Sequence, residues 1–162
     1  MSHGVYILSV FIHVIAACTW IGGMLFLILV FIPGIKKHPD KVSLIADVSL
    51  KYRGVGAVAL TTLFITGILQ LEYHGVQWTV EYFTTSSYGV TAGLKIIVFT
   101  IIVIISLIHD YYLGTKAIDQ WKNQPDHAKT KTLRTLSRFL GRVSFILALV
   151  AAWLGIILVR GW

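Results

Sequence analysis

No lysine, arginine, aspartate or glutamate occurs between Met1 and Ile35, between Gly54 and Leu71, or between Val143 and Val159. From Tyr82 to Ile108 the sole charge is Lys95. Each run is near or above the roughly 18–20 residues a helix needs to cross a hydrocarbon core of about 30 Å. Four such runs predict four transmembrane helices, at about residues 5–32, 54–73, 89–112 and 139–160. The fold class expected is all-α: an integral membrane, antiparallel four-helix bundle, with residues 1–162 as a single transmembrane domain. Charged residues make up 13% of the chain, against roughly 25% in soluble domains. The first run has no basic residue ahead of it and greatly exceeds the apolar stretch of a signal peptide, so it reads as a retained helix.

The charges that do occur set the topology. Lys36, Lys37, Lys41, Lys51 and Arg53 fall in the 33–53 connection, and seven more basic residues lie between Lys116 and Arg142. The 74–88 connection holds only Glu81, with Glu72 just before it. An excess of Lys and Arg marks cytoplasmic loops, which predicts both termini outside and the basic loops in the cytoplasm. The net charge of +7 is thus a topology signal aided by anionic lipid headgroups, and membrane lipids rather than nucleic acid are the expected partners. A bacterial or archaeal inner membrane, crossed several times, is the expected location.

Smaller features organise the connections. Pro33-Gly34 ends the first helix. Asp40 is a candidate cap for a short amphipathic helix leading into the second span. Trp78, Tyr82, Phe83 and Tyr88 suit a loop lying on the bilayer surface, and Pro125 is expected to split the long basic loop in two. Cys18 is the one cysteine, which excludes an internal disulfide and any Cys-based zinc or iron–sulfur spacing. It reads as a small buried hydrophobe.

Ionisable groups inside a membrane are costly and mark candidate sites. His13 lies roughly 12 Å below the outer end of the first helix and Lys95 roughly 9 Å below that of the third. The two share a depth. The stripe that begins at His13 continues through Ala17, Trp20 and Met24, while Ala16, Ala17, Gly22 and Gly23 allow close approach of another backbone or a flat ligand. Gly54, Gly56, Ala57, Ala59 and Gly67 give the second helix the same character. His13 is either hydrogen-bonded across helices to a threonine or carbonyl, or a ligand to haem or copper. Lys95 either snorkels to the interface, meets an anion (a haem propionate, an acidic substrate, Glu72 or Glu81), or carries a proton. His74 sits at the outer mouth of the second helix. His109 is about 21 Å inward of Lys95, so it is interfacial or belongs to a second site. Arg53, Arg138 and Arg142 read first as headgroup anchors; His3, His38 and His127 carry little weight.

The segments HVIAACTWIGG, YRGVGAVALTTLFITGI and GLKIIVFTIIVIISLIHDYYLG resemble the copper-resistance D (CopD) domain family and the HemJ-type protoporphyrinogen oxidases. The matching positions are His13, Trp20, Gly22 and Gly23 on the first helix, Arg53 and Gly67 on the second, and Lys95 on the third. The HemJ resemblance implies a haem b protein in which His13 and Lys95 are essential. It also implies removal of hydrogen from protoporphyrinogen IX, with electrons passed to the respiratory chain. The CopD resemblance implies copper uptake or tolerance. Copper conduits favour soft ligands, and this chain has only Met1, Met24 and Cys18.

The resulting expectation is a haem b-binding redox protein, a membrane oxidoreductase or electron-transport component. His13 is its axial metal ligand, with His74 a second ligand if that helix end tucks in and His109 a ligand only at a separate inner site. Lys95 pairs with a propionate or relays a catalytic proton, Trp20 packs on the macrocycle and Arg53 joins the cofactor-binding set. Partners expected are a respiratory-chain redox protein, a quinone or a larger membrane complex, and homo-oligomer formation is left open. The alternatives are a copper uptake or resistance protein, in which His13, Met24 and Cys18 converge, and a non-catalytic accessory subunit, in which the protein itself satisfies His13 and Lys95.

Overall fold

The computed structural model of the chain describes residues 2–123 and 127–161. Four long helices dominate it: α1 (His3–Gly34), α2 (Lys41–Tyr73), α4 (Ser87–Asn123) and α5 (Ala128–Arg160), with a short α3 (Val80–Thr85) before α4. All four long helices are apolar enough to span a membrane, and the described residues contain no strand. A helix satisfies its backbone hydrogen bonds internally, which hydrocarbon demands. The protein is a multi-pass, all-α membrane bundle.

The helices outrun the spans read from hydropathy, chiefly at the basic end. α2 begins at Lys41, so the amphipathic stretch is its first turns and not a separate helix; the Asp40 side chain makes no cap bond. α4 continues past residue 112 through a widened π-type turn at Ile108–Leu113. Nothing in Gly114–Asn123 stops it, because that segment buries Ala117 and sets Trp121 beneath the Arg134 guanidinium of α5, 3.5 Å from the ring centroid. A second π-type turn occupies Leu27–Phe31 of α1. Pro125 lies outside the described residues. At the opposite end the starts of α3 and α4 are capped by side chains, Thr79 accepting from the Tyr82 amide and Ser86 from the Gly89 amide, each at 3.3 Å.

α1 packs along α2 and α4 along α5, and the two pairs meet through α1 against α5 and the basic end of α4 against α2. Side chains inside the bundle form layers repeated every seven residues, as knobs-into-holes packing of helices requires. The central layer takes one residue from each long helix: Trp20, Ala59, Ile102 and Ala148, all buried. Trp20 is the knob. Its indole lies 3.7 Å from where a Cβ on Gly56 would stand, and its carbonyl accepts from the Tyr52 hydroxyl at 2.6 Å.

Moving seven residues along each helix toward the termini gives His13, Thr66, Lys95 and Gly155; moving seven the other way on α2, α4 and α5 gives Tyr52, His109 and Gly141. Seven further toward the termini are Tyr6, Tyr73 and Tyr88, where Tyr6 and Tyr73 stack with centroids 4.0 Å apart. Successive layers are roughly 10 Å apart. Outside them, Leu29, Val58, Phe139 and Trp153 are among many large apolar side chains left exposed. That surface suits acyl chains.

Candidate functional site

The layer on the terminus side of Trp20 holds the two ionisable groups that the sequence singles out. His13 sits on α1 because Ser9, one turn earlier, and His13 share the face turned to α2. Ser9 Oγ donates to the Thr66 carbonyl at 3.4 Å, and His13 Nδ1 lies 2.7 Å from Thr66 Oγ1. The direction of the second bond follows from proton counting. The Thr66 hydroxyl has one proton, and its back-bond to the Thr62 carbonyl at 2.6 Å uses it. Nδ1 must therefore be the donor to Thr66, which fixes the tautomer and leaves Nε2 with its lone pair. Among the described residues nothing hydrogen-bonds to Nε2.

Gly67, next to Thr66, lets α2 approach the ring: a Cβ there would stand 3.8 Å from His13 Cε1. Lys95 arrives from α4, seven residues before Ile102 of the central layer. Its Nζ lies 3.1 Å from where a Cβ on Gly155 of α5 would be. Lys95 makes no hydrogen bond or ion pair among the described residues. Glu72, one of the carboxylates considered for it, instead accepts from Trp78 Nε1 at 2.7 Å. A half-committed imidazole and a lysine Nζ without a partner among the described residues thus share one layer, to which each of the four spans contributes a residue.

Two of these contributors, Thr66 and Gly155, were not named from sequence. The signal for both is the seven-residue register: Thr66 lies one heptad after Ala59, and Gly155 one heptad after Ala148.

The other expected site residues lie elsewhere. Trp20 is buried in the central layer against Gly56 and Ala59, so its faces are taken by protein. Gly23 likewise receives the Tyr52 ring, and Gly67 receives His13. These glycines hold the chain's own rings rather than a flat ligand. His74 caps α2 eight residues beyond Thr66, roughly 12 Å along the axis. There its Nε2 meets the Tyr6 hydroxyl at 3.3 Å and its ring packs edge-on against Tyr73. It does not tuck in toward His13. Arg53 is thirteen residues from Thr66 in the other direction, roughly 20 Å away, and donates through Nη2 to Thr115 Oγ1 at 3.0 Å.

His109 lies two layers inward of Lys95. Its Nδ1 is 2.8 Å from Asp110 Oδ1 and its Nε2 is 3.0 Å from Ser137 Oγ. Nδ1–H donates to the carboxylate and Nε2 accepts from the serine, so both nitrogens are spent. Cys18 is exposed on the outer face and Met24 packs into the central cluster; neither joins His13. No group of three or more His, Cys, Asp or Glu residues able to hold a metal occurs among the described residues. His13, His74 and His109 are three separate positions.

The chain is 30% identical over 151 residues to an uncharacterized protein of Aquifex aeolicus (strain VF5), and the match covers 92% of each chain. The two proteins belong to one family. No family model matches the chain, and no solved structure matches it.

Proposed function

We propose that this chain is a haem b-binding redox protein of the CopD/HemJ type, acting in electron transfer or in protoporphyrinogen oxidase-like chemistry at a bacterial or archaeal cell membrane. The basic ends of its helices would face the cytoplasm. One observation carries the reading: the His13 ring donates Nδ1–H to Thr66 and keeps Nε2 without a partner among the described residues, in the same layer as Lys95, whose Nζ has none among them either. Ligating histidines are held in this way, with the second nitrogen fixed by an outer acceptor that sets the tautomer. The donor set fits the group. His13 Nε2 would hold the iron, and Lys95 would meet a propionate or hold the proton that passes during the reaction. When bound, haem supplies one-electron chemistry whose potential depends on its axial ligands.

The remaining work falls to the chain itself. Thr66 fixes the angle of the imidazole. Gly155 leaves the space in which the Lys95 ammonium sits. The Trp20 layer closes the bundle on the basic side, keeping the His13 layer in contact only with the terminus side and the lipid. The aromatic mouth of Tyr6, Tyr73 and Tyr88 lies one heptad above. An accessory subunit without a site would satisfy both His13 and Lys95 from the protein, and neither is fully satisfied. A copper pathway would bring Cys18 and Met24 to His13, and both point elsewhere.

The test is an absorption spectrum of detergent-purified protein, oxidised and dithionite-reduced, from cells supplied with ample haem. A Soret band with reduced α and β bands, lost in His13→Ala, is the expected result. A featureless spectrum from folded protein would exclude haem and direct measurement to copper content.

A further inference from the structure

On the basic side of the Trp20 layer a cavity of about 150 Å³ lies between α2 and α4. Ala57, Leu60, Val103 and Leu107 form its apolar walls, and Arg53, Asp110 and Tyr111 its polar end. Ala57, Thr61, Leu107 and Tyr111 are exposed on the outer surface of the bundle, so the cavity is a cleft open sideways to lipid. An occupant would enter from the bilayer with its polar part toward the basic end.

The polar end is chemically specific. The Arg53 guanidinium lies over the Tyr111 ring, 5.0 Å from its centroid, and spends Nη2 on Thr115. Its Nε is buried without a hydrogen-bond partner among the described residues. Asp110 receives the His109 Nδ1–H on Oδ1, and its second oxygen has no partner among the described residues. The site therefore offers a cationic donor and an anionic acceptor side by side and is close to electroneutral. A phosphate headgroup would bring its charge against the Asp110 carboxylate. A neutral head bearing both an acceptor and a donor meets no such repulsion, and a flat one fits between the walls.

We infer that this cleft binds the ring of a quinone or quinol, with a ring oxygen accepting from Arg53, a quinol hydroxyl donating to Asp110, and the tail in the bilayer. The choice of a redox-active ring rests on the redox reading above; the cleft does not depend on haem being bound.

The test uses the full-length protein in phosphatidylcholine nanodiscs and a photoactivatable azido-benzoquinone with a decyl tail, followed by peptide mapping. Labelling within residues 53–61 or 103–111, displaced by decyl-benzoquinone, is expected. Ala57→Phe, which fills the cleft, abolishes that labelling, and Arg53→Gln weakens it about tenfold, the loss of roughly one hydrogen bond. Gly22→Ala, whose added methyl meets nothing, leaves it unchanged. Labelling spread over the lipid-facing helices, or equal in Ala57→Phe and wild type, overturns the assignment; so does displacement by phosphatidylglycerol as effective as that by the quinone. Protein that labels in the cleft but shows no Soret band keeps this site and loses the haem reading. A Soret band without cleft labelling does the reverse.

Discussion

The layers of His13 and His109 lie two heptads apart in one bundle, yet they leave their histidines in opposite states. His109 is closed: Asp110 takes one ring nitrogen and Ser137 of the facing helix takes the other. His13 is half open, with Thr66 on Nδ1 and, among the described residues, nothing on Nε2. Both rings are part-buried, and inside hydrocarbon water does not stand in for a missing hydrogen bond. The closed histidine behaves as a clamp between α4 and α5. The open one shares its layer with Lys95 and is where the proposed haem would be held.

The largest effect that would separate the two is on cofactor content. His13→Ala is expected to remove the Soret band altogether, while His109→Ala leaves it intact and lowers stability by about 1–3 kcal/mol, because Asp110 and Ser137 lose their partner. Paired spectra and unfolding curves check this. Equal loss of the band in both variants would erase the distinction. Next in size is the acceptor that aims His13. Thr66→Val should weaken haem binding by about 10–100-fold, the usual cost of deleting a ligand's outer hydrogen bond, and Thr66→Ser should restore most of it. Haem titration of the apoprotein measures both. A Thr66→Val variant that binds as tightly as wild type would mean that the ring is oriented by packing alone.

How much of this was legible in the sequence differs by feature. The four spans were, since nothing but a helix accommodates a charge-free run of that length in hydrocarbon. The shared depth of His13 and Lys95 was legible too, from residue counts alone. The partners were not. Threonines recur along α2 at positions 61, 62 and 66, and only the packing angle decides that Thr66 faces α1. The small residues misled for a physical reason: a glycine announces a gap but not its occupant, and Tyr52 and Trp20 fill those at Gly23 and Gly56. Helix ends at the basic side were missed because hydropathy ends with the membrane, whereas Gly114–Asn123 stays helical through its packing on α5.

That lesson predicts unequal costs for two glycines of similar appearance. Gly23→Ala sets a methyl into the Tyr52 ring, and Tyr52 cannot swing away without breaking its 2.6 Å bond to the Trp20 carbonyl. Overpacking of this kind costs about 1–3 kcal/mol. Gly67→Ala places a methyl at ordinary contact distance, 3.8 Å from His13 Cε1, and should change stability by less than about 0.5 kcal/mol. Reversible unfolding in mixed micelles compares them. If Gly67→Ala proves the costlier, the His13 layer is tighter than the central one.

The smallest effect tests the closed layer from its far side. Ser137→Ala deletes one of the two bonds to His109 and leaves the other, so the ring keeps its tautomer through Asp110. Hydrogen bonds between membrane helices are worth about 0.6 kcal/mol on average, and an orphaned Nε2 adds little where Ser137 is only part-buried. A loss of about 0.5–1 kcal/mol is expected, with Ser137→Thr recovering it and the haem spectrum unmoved by either. The spectrum is the sharper readout. Two layers separated by the Trp20 plug should not sense each other, so a Soret shift in Ser137→Ala would show that the closed histidine is wired to the open one. The division between clamp and ligand would then have to be given up.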